Sequence, residues 1–443
     1  MDCLPDTPPW RCRMNLAGWD TLSAVAVDEV NRGLEQRRRE LVRRLSFTLN
    51  IDTIHEKFYG EIALGMWQIV PGGSGALLHI RIGVASGKLC RSVPTEYVDL
   101  AGSDMIFSVS LNRLPSRTVA NGHDFVFALD RAGFLGATPD EGVITPIAFT
   151  GPESVLGRLG SAGQAIVIDA AAKELSRKSE VLSFVLATVG FTTPGAEGWL
   201  APKSSGYTSF FEAGTEYLGI MAVTTDRPAE TLQRTVDGGV VRGGAMAGFA
   251  MSRELFSRHV LMPIIASALG GEAKDAIAYS ADRGIVTASR PFLTMSVRAG
   301  LIDYWPRVLT LDAHIAGDGV DMAVTGDCDL KAGIVMTWSV NAHCAMAFDV
   351  TRQVLFFQPD PHPTITHSAA IPWWFFLIAM LPAAIAKLVG KILAENISAS
   401  LSNHLAASAL VQASATSVQW AGLRRMTVTE ASLDGALILR GRL

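Results

Sequence analysis

The sequence predicts an α+β protein in which a tall, highly curved antiparallel sheet wraps around a long apolar helix. Three observations predict this class. Apolar and polar residues alternate over the seventeen residues Ile334–Val350, which makes a strand of about 55 Å where five or six residues are usual. Ala369–Ala386 then runs for eighteen residues without a charge. With Gly counted and Tyr left out, roughly 57% of the residues are apolar, against about 45–50% in ordinary domains.

The length of 443 residues favours two sheet-based domains. Gly and polar residues become frequent in Thr224–Gly248, so the boundary is placed there. The prediction is an unstructured leader at 1–13, an N-terminal lobe at 14–235 and a C-terminal lobe at 245–443.

Charge and cysteine usage exclude several classes of protein. The net charge of −4 argues against a protein that binds nucleic acid by neutralising phosphates. The five cysteines are scattered without a C-x-x-C pair, so neither a disulfide framework nor a thiolate metal site is indicated. The N-terminus lacks an apolar signal segment, which predicts synthesis in the cytosol and release, if any, by a non-classical route.

A basic segment, "NRGLEQRRRELVRRL", occupies Asn31–Leu45. Apolar residues at helical spacing predict one helix of about 20 residues from Val27 to Leu45. Because Glu35 and Glu40 lie among the basic residues, we interpret the charged side chains of this segment as a solvated helix face. Contact with anionic lipid headgroups is the alternative.

The N-terminal lobe carries strand signals. Strict alternation predicts half-buried strands at Leu78–Val84 and Phe107–Leu111. Further strands are predicted near 124–129, 164–169 and 217–224, and a helix at Ala170–Val189.

The C-terminal lobe opens with a predicted helix that has clear end signals. Ser252 is the expected N-cap, Pro263 a kink, and Gly270–Gly271 the stop. Alternating strands are then predicted at Leu293–Leu301, Leu309–Ile315 and Val320–Val324, followed by the long strand Ile334–Val350.

The uncharged stretch changes character after Pro382. Lys387, Lys391 and Glu395 fall on one stripe, opposite an apolar one, so the second part is an amphipathic helix. We place this helix at about 373–407, in the concave face of the sheet. A membrane span is the alternative because the uncharged run is long enough.

No catalytic motif is found. Gly83–Lys88 lacks the spacing of a phosphate loop, and His55–Gly60 lacks the second His of a zinc protease. Asp318–Gly319 is interpreted as a hairpin turn rather than part of a calcium loop. His314 and His343 fall on polar strand faces, where exposure is expected. The sequence predicts no enzyme activity, no metal and no cofactor.

Three segments, in order and spread over the chain, carry a family resemblance: Gly18–Leu34, Phe249–Ile265 and Val418–Gly441. They resemble the clostridial forty-seven-kilodalton neurotoxin-associated proteins, relatives of the OrfX-type toxin-cluster accessory proteins. Gly18-Trp19-Asp20 is the most specific element.

The resemblance implies a fold and a function. That family belongs to the tubular lipid-binding (TULIP) superfamily, whose elongated lobes each wrap a highly curved antiparallel sheet around a long helix. It implies an apolar groove that holds phospholipid or fatty acyl chains, no catalytic residues, and partners among toxin-cluster proteins. Peripheral contact with a membrane stays open.

Apolar side chains on three segments are the candidates for lipid contact, with burial in an ordinary core as the alternative for each. They are Phe256, Val260 and Ile264 on the helix, Met336, Trp338, Val340 and Met346 on the long strand, and Trp373, Trp374, Phe375, Phe376 and Leu377 in the uncharged stretch. The four consecutive aromatics cannot all face one side of a helix or strand, so they need burial from two sides or from lipid.

Two other functions compete with lipid binding. One is a protein–protein scaffold that keeps the tubular fold with an interior filled by side chains. The other is a membrane-inserting toxin component that uses residues 369–393 as its wedge.

Overall fold

The computed structural model describes residues 14–51, 56–92, 95–179, 184–190, 198–299, 302–329, 334–358, 360–369 and 417–443. The chain divides into two compact units. Unit 1 comprises Met1–Thr21, Phe249–Ser414 and Val428–Gly441, and unit 2 comprises Leu22–Gly248, Ala415–Thr427 and Arg442–Leu443. The leader 1–13 lies outside the described residues, and the predicted lobe limits at 235 and 245 stay a prediction.

Among the described residues, the α-helices are short apart from one. They are α1 Val27–Gln36, α2 Glu153–Arg177, α3 Arg253–Phe256, α4 Met262–Leu269 and α5 Ala273–Ala276.

Strands make up most of the rest. In the first half of the chain they are β1 Thr21–Ala26, β2 Arg44–Ile51, β3 Glu56–Ser74, β4 Leu77–Arg91, β5 Glu96–Asp99, β6 Asp104–Pro115, β7 His123–Ala128, β8 Arg131–Ala132, β9 Val143–Thr150, β10 Val185–Val189, β11 Ser204–Glu212, β12 Thr215–Val223 and β13 Ala247–Ser252. In the second half they are β14 Ile277–Ser280, β15 Ile285–Ala288, β16 Phe292–Leu293, β17 Val297–Ala299, β18 Ile302–Tyr304, β19 Arg307–Ala316, β20 Gly319–Asp329, β21 Val335–Asp349, β22 Val354–Phe357, β23 Thr364–Ala369, β24 Val418–Trp420, β25 Thr427–Leu433 and β26 Ala436–Arg442. The α+β class, dominated by antiparallel sheets, is confirmed.

The described part of unit 2 contains a ten-stranded sheet whose main order is β2-β3-β4-β6-β7-β10-β24. The predicted strands at 78–84, 107–111, 124–129 and 217–224 are confirmed as parts of β4, β6, β7 and β12. α1 packs against β3, and α2 packs against β2, β5, β8 and β9. The core of unit 2 lies between this sheet and the two helices, and includes Trp67, Phe107 and Ile168.

Three predictions in unit 2 are wrong in whole or in part. The helix predicted at Ala170–Val189 ends at Arg177 as the last part of α2, and Val185–Val189 form strand β10. α1 ends at Gln36 and a 3₁₀ turn at Arg38–Glu40 follows, so the basic segment is not one helix. Leu41 and Leu45 are both buried, but Leu45 lies on β2. The prediction failed because two apolar residues four apart can be buried from a turn and a strand as well as from one helix. The predicted strand near 164–169 is the middle of α2, which bends at Gly160, where φ is 59°.

The longest described strand of unit 2, β3, is absent from the prediction. Its nineteen residues contain Gly65, Gly72 and Pro71, which usually mark strand ends. The register against β4 shifts between Ala63 and Trp67, so β-bulges accommodate the irregular sequence while the strand continues.

The described part of unit 1 contains an eight-stranded sheet with the main order β14-β15-β19-β20-β21-β22. The long strand is confirmed as β21, with fifteen residues. The region Leu293–Leu301, predicted as one strand, is instead divided between short strands β16 and β17. In β19 the register shifts between Val308 and Thr310. The predicted inward residue Leu309 is therefore exposed and Val308 is buried in its place.

The helical segment that follows β13 in unit 1 has the predicted ends. The Ser252 hydroxyl accepts a hydrogen bond from the Leu255 backbone N–H at 3.2 Å, and Gly270, at φ 60°, ends α4. Between α3 and α4 the residues Ser257–Leu261 form a π-helical turn. This wide turn lies directly before Pro263, where the missing N–H interrupts the hydrogen-bond ladder.

In the described part of the molecule, no helix has the length and apolarity needed to cross a membrane. Apart from Ala369, the last residue of β23, the uncharged stretch and the helix predicted at 373–407 lie outside the described residues.

Candidate functional site

The sheet of unit 1 has one face of apolar side chains, here called the apolar face. Cross-strand rows such as Leu311, Val324 and Val340 run over β19, β20 and β21. Each member is at most 9% exposed. The members are Val308, Leu311, Ala313 and Ile315 of β19, Val320, Met322, Val324 and Cys328 of β20, and Met336, Trp338, Val340, Ala342 and Cys344 of β21.

Three of the predicted lipid-contact residues lie on this face. Met336, Trp338 and Val340 are all buried. Met346 lies further along β21, opposite Phe357 of β22, and is half-buried. The alternation of the sequence therefore brings these residues together as predicted, because β21 continues through all of them. Their contact with lipid stays a prediction.

Trp338 is fixed by two neighbours on β20. Its indole N–H donates a hydrogen bond to the backbone carbonyl of Asp327, with 3.2 Å between the heavy atoms. Its ring covers Gly326, since a Cβ at Gly326 would lie 2.3 Å from the ring. The glycine thus provides the space that the indole occupies.

The predicted helix residues are also buried. Phe256 is 0% exposed, Val260 8% and Ile264 4%. The π turn packs against β14 and β15, and α4 against β14. In the sheet, β19 and β20 separate these strands from β21. Helix and strand candidates therefore belong to one unit but meet different strands.

The aromatic run Trp373, Trp374, Phe375, Phe376 and Leu377 lies outside the described residues. Its lipid contact stays a prediction.

The opposite face of the same sheet is polar and carries a cleft of about 760 Å³, here called the histidine cleft. His314, Asp321 and His343 lie side by side on β19, β20 and β21. Arg283 and Asp360 also line the cleft. Within the described part of the chain, no group of three or more His, Cys, Asp or Glu side chains is arranged to hold a metal ion.

His343 lies between two carboxylates. Its Nδ1 is 2.6 Å from Asp321 Oδ1, and its Nε2 is 3.1 Å from Asp318 Oδ1. Its backbone N–H donates to Asp360 Oδ2 at 2.8 Å. These contacts connect His343 on β21 to the turn before β20, to β20 itself and to the segment before β23. The hydrogen bond to Asp321, with that to Asp318, raises the pKa of His343 above its ordinary value.

The sequence interpretation missed this arrangement. It treated Asp318–Gly319 as a hairpin turn; the chain does form a hairpin here, but its two turn residues are Gly317 and Asp318, because Ala316 pairs with Gly319. A two-residue turn at Asp318–Gly319 would place His314 opposite Ala323, whereas the observed turn, one residue earlier, places it opposite Asp321, so the row was not readable from the sequence. His343 could not be placed either, because the five residues 330–334 between β20 and β21 carry no two-residue turn signature that fixes the register.

We expect the contribution of His343 to stability to depend on pH. A raised pKa in the folded state means that its contribution is fully present below its ordinary value of about 6.5 and disappears as pH rises through the raised value. His343→Gln should therefore reduce the free energy of unfolding more at pH 5.5 than at pH 8.5. The difference should stay below about 1 kcal/mol, because the pair is partly exposed.

Thermal melts at both pH values measure this effect. His367→Gln, an exposed histidine on β23 outside the cleft, is the matched control. An equal loss of stability at pH 5.5 and pH 8.5 in His343→Gln would show that its ionisation does not contribute.

Comparison with known proteins gives a consistent result. The OrfX-like family model, described as Protein OrfX2/OrfX3/P47, matches residues 16–354. Protein P47 of Clostridium botulinum (strain Kyoto / Type A2) is 18% identical over 437 residues, covering 97% of this chain and 99% of the relative.

Two solved structures share the fold. P47 from Clostridium botulinum A2 aligns with a TM-score of 0.77 at 17% identity, covering 97% of this chain and 99% of that one. P47 of Clostridium botulinum E1 aligns with a TM-score of 0.74 at 18% identity, covering 97% and 100%. The resemblance found in the sequence is thereby confirmed.

Proposed function

The chain belongs to the OrfX-like family of OrfX2, OrfX3 and P47 proteins, and from this membership we propose that it is a non-enzymatic lipid-binding protein. It holds a phospholipid or fatty acyl chain in an apolar groove of unit 1. It acts as an accessory protein whose partners are products of a toxin gene cluster.

The apolar face is the observation that carries this proposal. It is continuous over three long strands, with no charged side chain among its members. An acyl chain that buries about 300 Å² of apolar surface gains roughly 7 kcal/mol before ordering costs. Micromolar binding requires about 8 kcal/mol, so few polar contacts are needed.

The composition of the face favours a ligand of variable shape. Met322 and Met336 lie on the face, and Met346 continues it along β21. Methionine is unbranched and adapts to irregular neighbours. Since the face is buried without ligand, a bound chain replaces side-chain contacts rather than filling an open channel.

The proposal includes the TULIP arrangement. In that arrangement the sheet of unit 1 would curve around a long helix with the acyl chain between them; the helix predicted at about 373–407 lies outside the described residues. The alternation of β21, with polar residues on one face and apolar residues on the other, supports this one-sided arrangement.

Filling the apolar face should block lipid uptake. Ala342 is the small residue on the face in β21, and Ala342→Trp places an indole where the chain would lie. We expect uptake of the fluorescent fatty acid cis-parinaric acid to weaken at least about tenfold, a loss of about 1.4 kcal/mol. The affinity is measured by fluorescence titration in detergent-free buffer.

The matched control is Ala323→Trp. Ala323 lies on the neighbouring strand, exposed on the opposite face, so the same substitution should leave uptake unchanged. Because overpacking destabilises cores by about 1–3 kcal/mol, the melting temperature is recorded and Ala342→Leu serves as a milder variant. Equal uptake by wild type and a folded Ala342 variant would contradict the proposal.

One observation favours the scaffold as a second candidate. Every member of the apolar face is at most 9% exposed without a ligand, as expected for an interior filled by side chains. A wild-type protein that takes up no fatty acid in the same titration would support the scaffold. The membrane wedge predicts that charged substitutions at Phe375–Leu377, outside the described residues, abolish liposome flotation.

A further inference from the structure

The basic segment of the sequence forms one wall of a pocket in unit 2. α1 ends at Gln36, the turn Arg38–Glu40 reverses the chain, and β2 begins at Arg44. The turn and the start of the strand contribute to a pocket of about 720 Å³, here called the basic pocket. The apolar face belongs to unit 1, so the basic pocket is a separate site.

The charge lining this pocket is of one sign. Arg38, Arg43, Arg44 and Lys178 line it, and no Asp or Glu does. The one carboxylate of the turn, Glu40, is engaged by the Arg37 guanidinium outside the pocket. Within the described part of the chain, none of the four cations forms an ion pair with a carboxylate.

The position of Lys178 is set by the fold. It caps the C-terminus of α2, and its Nζ donates a hydrogen bond to the Arg44 carbonyl at 3.0 Å. An ammonium group has three donors, so two remain for a ligand. Three arginine side chains add planar groups that bind phosphate oxygens in pairs.

The floor of the pocket is apolar. Leu41, Leu64 and Trp67 are buried there, and Met66 is 39% exposed. Trp67 packs against Phe127 with ring centroids 6.1 Å apart. These floor side chains offer a ligand an apolar surface beside the cations.

We propose that the basic pocket binds an organic phosphate, in which a phosphate group is attached to an apolar moiety. Four unpaired cations match a doubly charged group better than a single carboxylate, and the apolar floor receives the organic part. The net charge of −4 for the whole chain makes this pocket a local exception, and its size suits a small group rather than a nucleic-acid backbone.

Two probes test the proposal on the full-length protein and separate the sources of the phosphate. Phenyl phosphate, titrated by calorimetry at low salt, represents a soluble ester. Vesicles of phosphatidylcholine with and without phosphatidic acid represent a lipid headgroup. If only phenyl phosphate binds, the ligand is a soluble ester. If only the phosphatidic acid vesicles bind, the ligand is a lipid headgroup. If both bind, the pocket recognises the phosphate group that the two probes share.

The double variant Arg38→Gln/Arg43→Gln should weaken binding of the active probe at least tenfold. Both side chains are exposed and form no ion pair with a described residue, so the fold should be unaffected. The single variants give the same comparison if the double one unfolds. The control Arg39→Gln/Lys173→Gln changes the net charge equally at exposed positions outside the pocket and should change affinity less than twofold.

Two results would overturn the proposal. One is the absence of binding by wild type to either probe. The other is an equal loss in both double variants, which would mean that net charge alone attracts the anion. Ala342→Trp in unit 1 should leave phenyl phosphate binding unchanged, so failure of lipid uptake at the apolar face is measured separately.

Discussion

Replacing Gly33 with alanine is expected to destabilise unit 2 by about 2 kcal/mol or more, although alanine is the better helix former. Gly33 lies inside α1, where propensity alone would favour alanine by about 1 kcal/mol. A Cβ at this position would lie 2.0 Å from the backbone carbonyl oxygen of Ala421. That backbone cannot easily retreat, because the Ala421 N–H donates to the Leu186 carbonyl at 2.9 Å. Overpacking of this kind costs about 1–3 kcal/mol or more.

Urea unfolding of Gly33→Ala measures the loss, and Gly157→Ala is its control. Gly157 lies in α2, where an added Cβ would meet nothing within 4 Å. The control should therefore gain up to about 1 kcal/mol from helix propensity alone. A Gly33→Ala protein as stable as wild type would show that α1 does not pack closely against Ala421.

Removing the indole of Trp338 should cost about 3–5 kcal/mol in the stability of unit 1, the range for truncating a buried Trp. The side chain is 4% exposed, and its N–H bonds to the Asp327 carbonyl. Trp338→Ala removes the buried ring together with its hydrogen bond, and leaves a cavity over Gly326.

Val335→Ala is the control on the same strand. Val335 is 49% exposed, and its truncation should change the free energy of unfolding by less than about 0.5 kcal/mol. Chemical denaturation monitored by circular dichroism compares the two. A loss below about 1 kcal/mol in Trp338→Ala would mean that the site collapses around the missing ring and that the apolar face is loosely packed.

Strands with strict alternation could be predicted, because a register shift of one residue would turn every apolar side chain from the core to the solvent. β21 shows this from Val335 to Cys344, where every second residue is buried. The error at Leu309 has a physical cause, since a bulge between Val308 and Thr310 inserts one residue and exchanges the faces. A bulge leaves no apolar signal in a single sequence.

Predictions from the spacing of apolar residues were wrong where the same residues are compatible with both a helix and a strand. The run Ile166–Ile168 is β-branched and short, which favours a strand, yet it lies inside the 25-residue α2. α1 was extended too far because Leu41 and Leu45 continue the helical spacing after the chain has turned. In both cases tertiary burial decides the local structure, and propensity does not reveal it.

The apolar face could be predicted in part, and the basic pocket could not. Met336, Trp338 and Val340 come from one continuous strand, so alternation alone groups them. Lys178 and Arg44 are 134 residues apart, and only the packing of α2 against β2 brings them together. The sequence marked the basic segment, but the fold determines that its side chains line a pocket.

Native mass spectrometry of the full-length protein, purified without detergent, tests the lipid-binding proposal most directly. We expect a fraction of the molecules to carry a mass excess that matches a fatty acid or phospholipid, and this excess to disappear in Ala342→Trp but persist in Ala323→Trp. A wild-type spectrum with only the mass of the bare chain, unchanged after incubation with added lipid, would contradict the proposal.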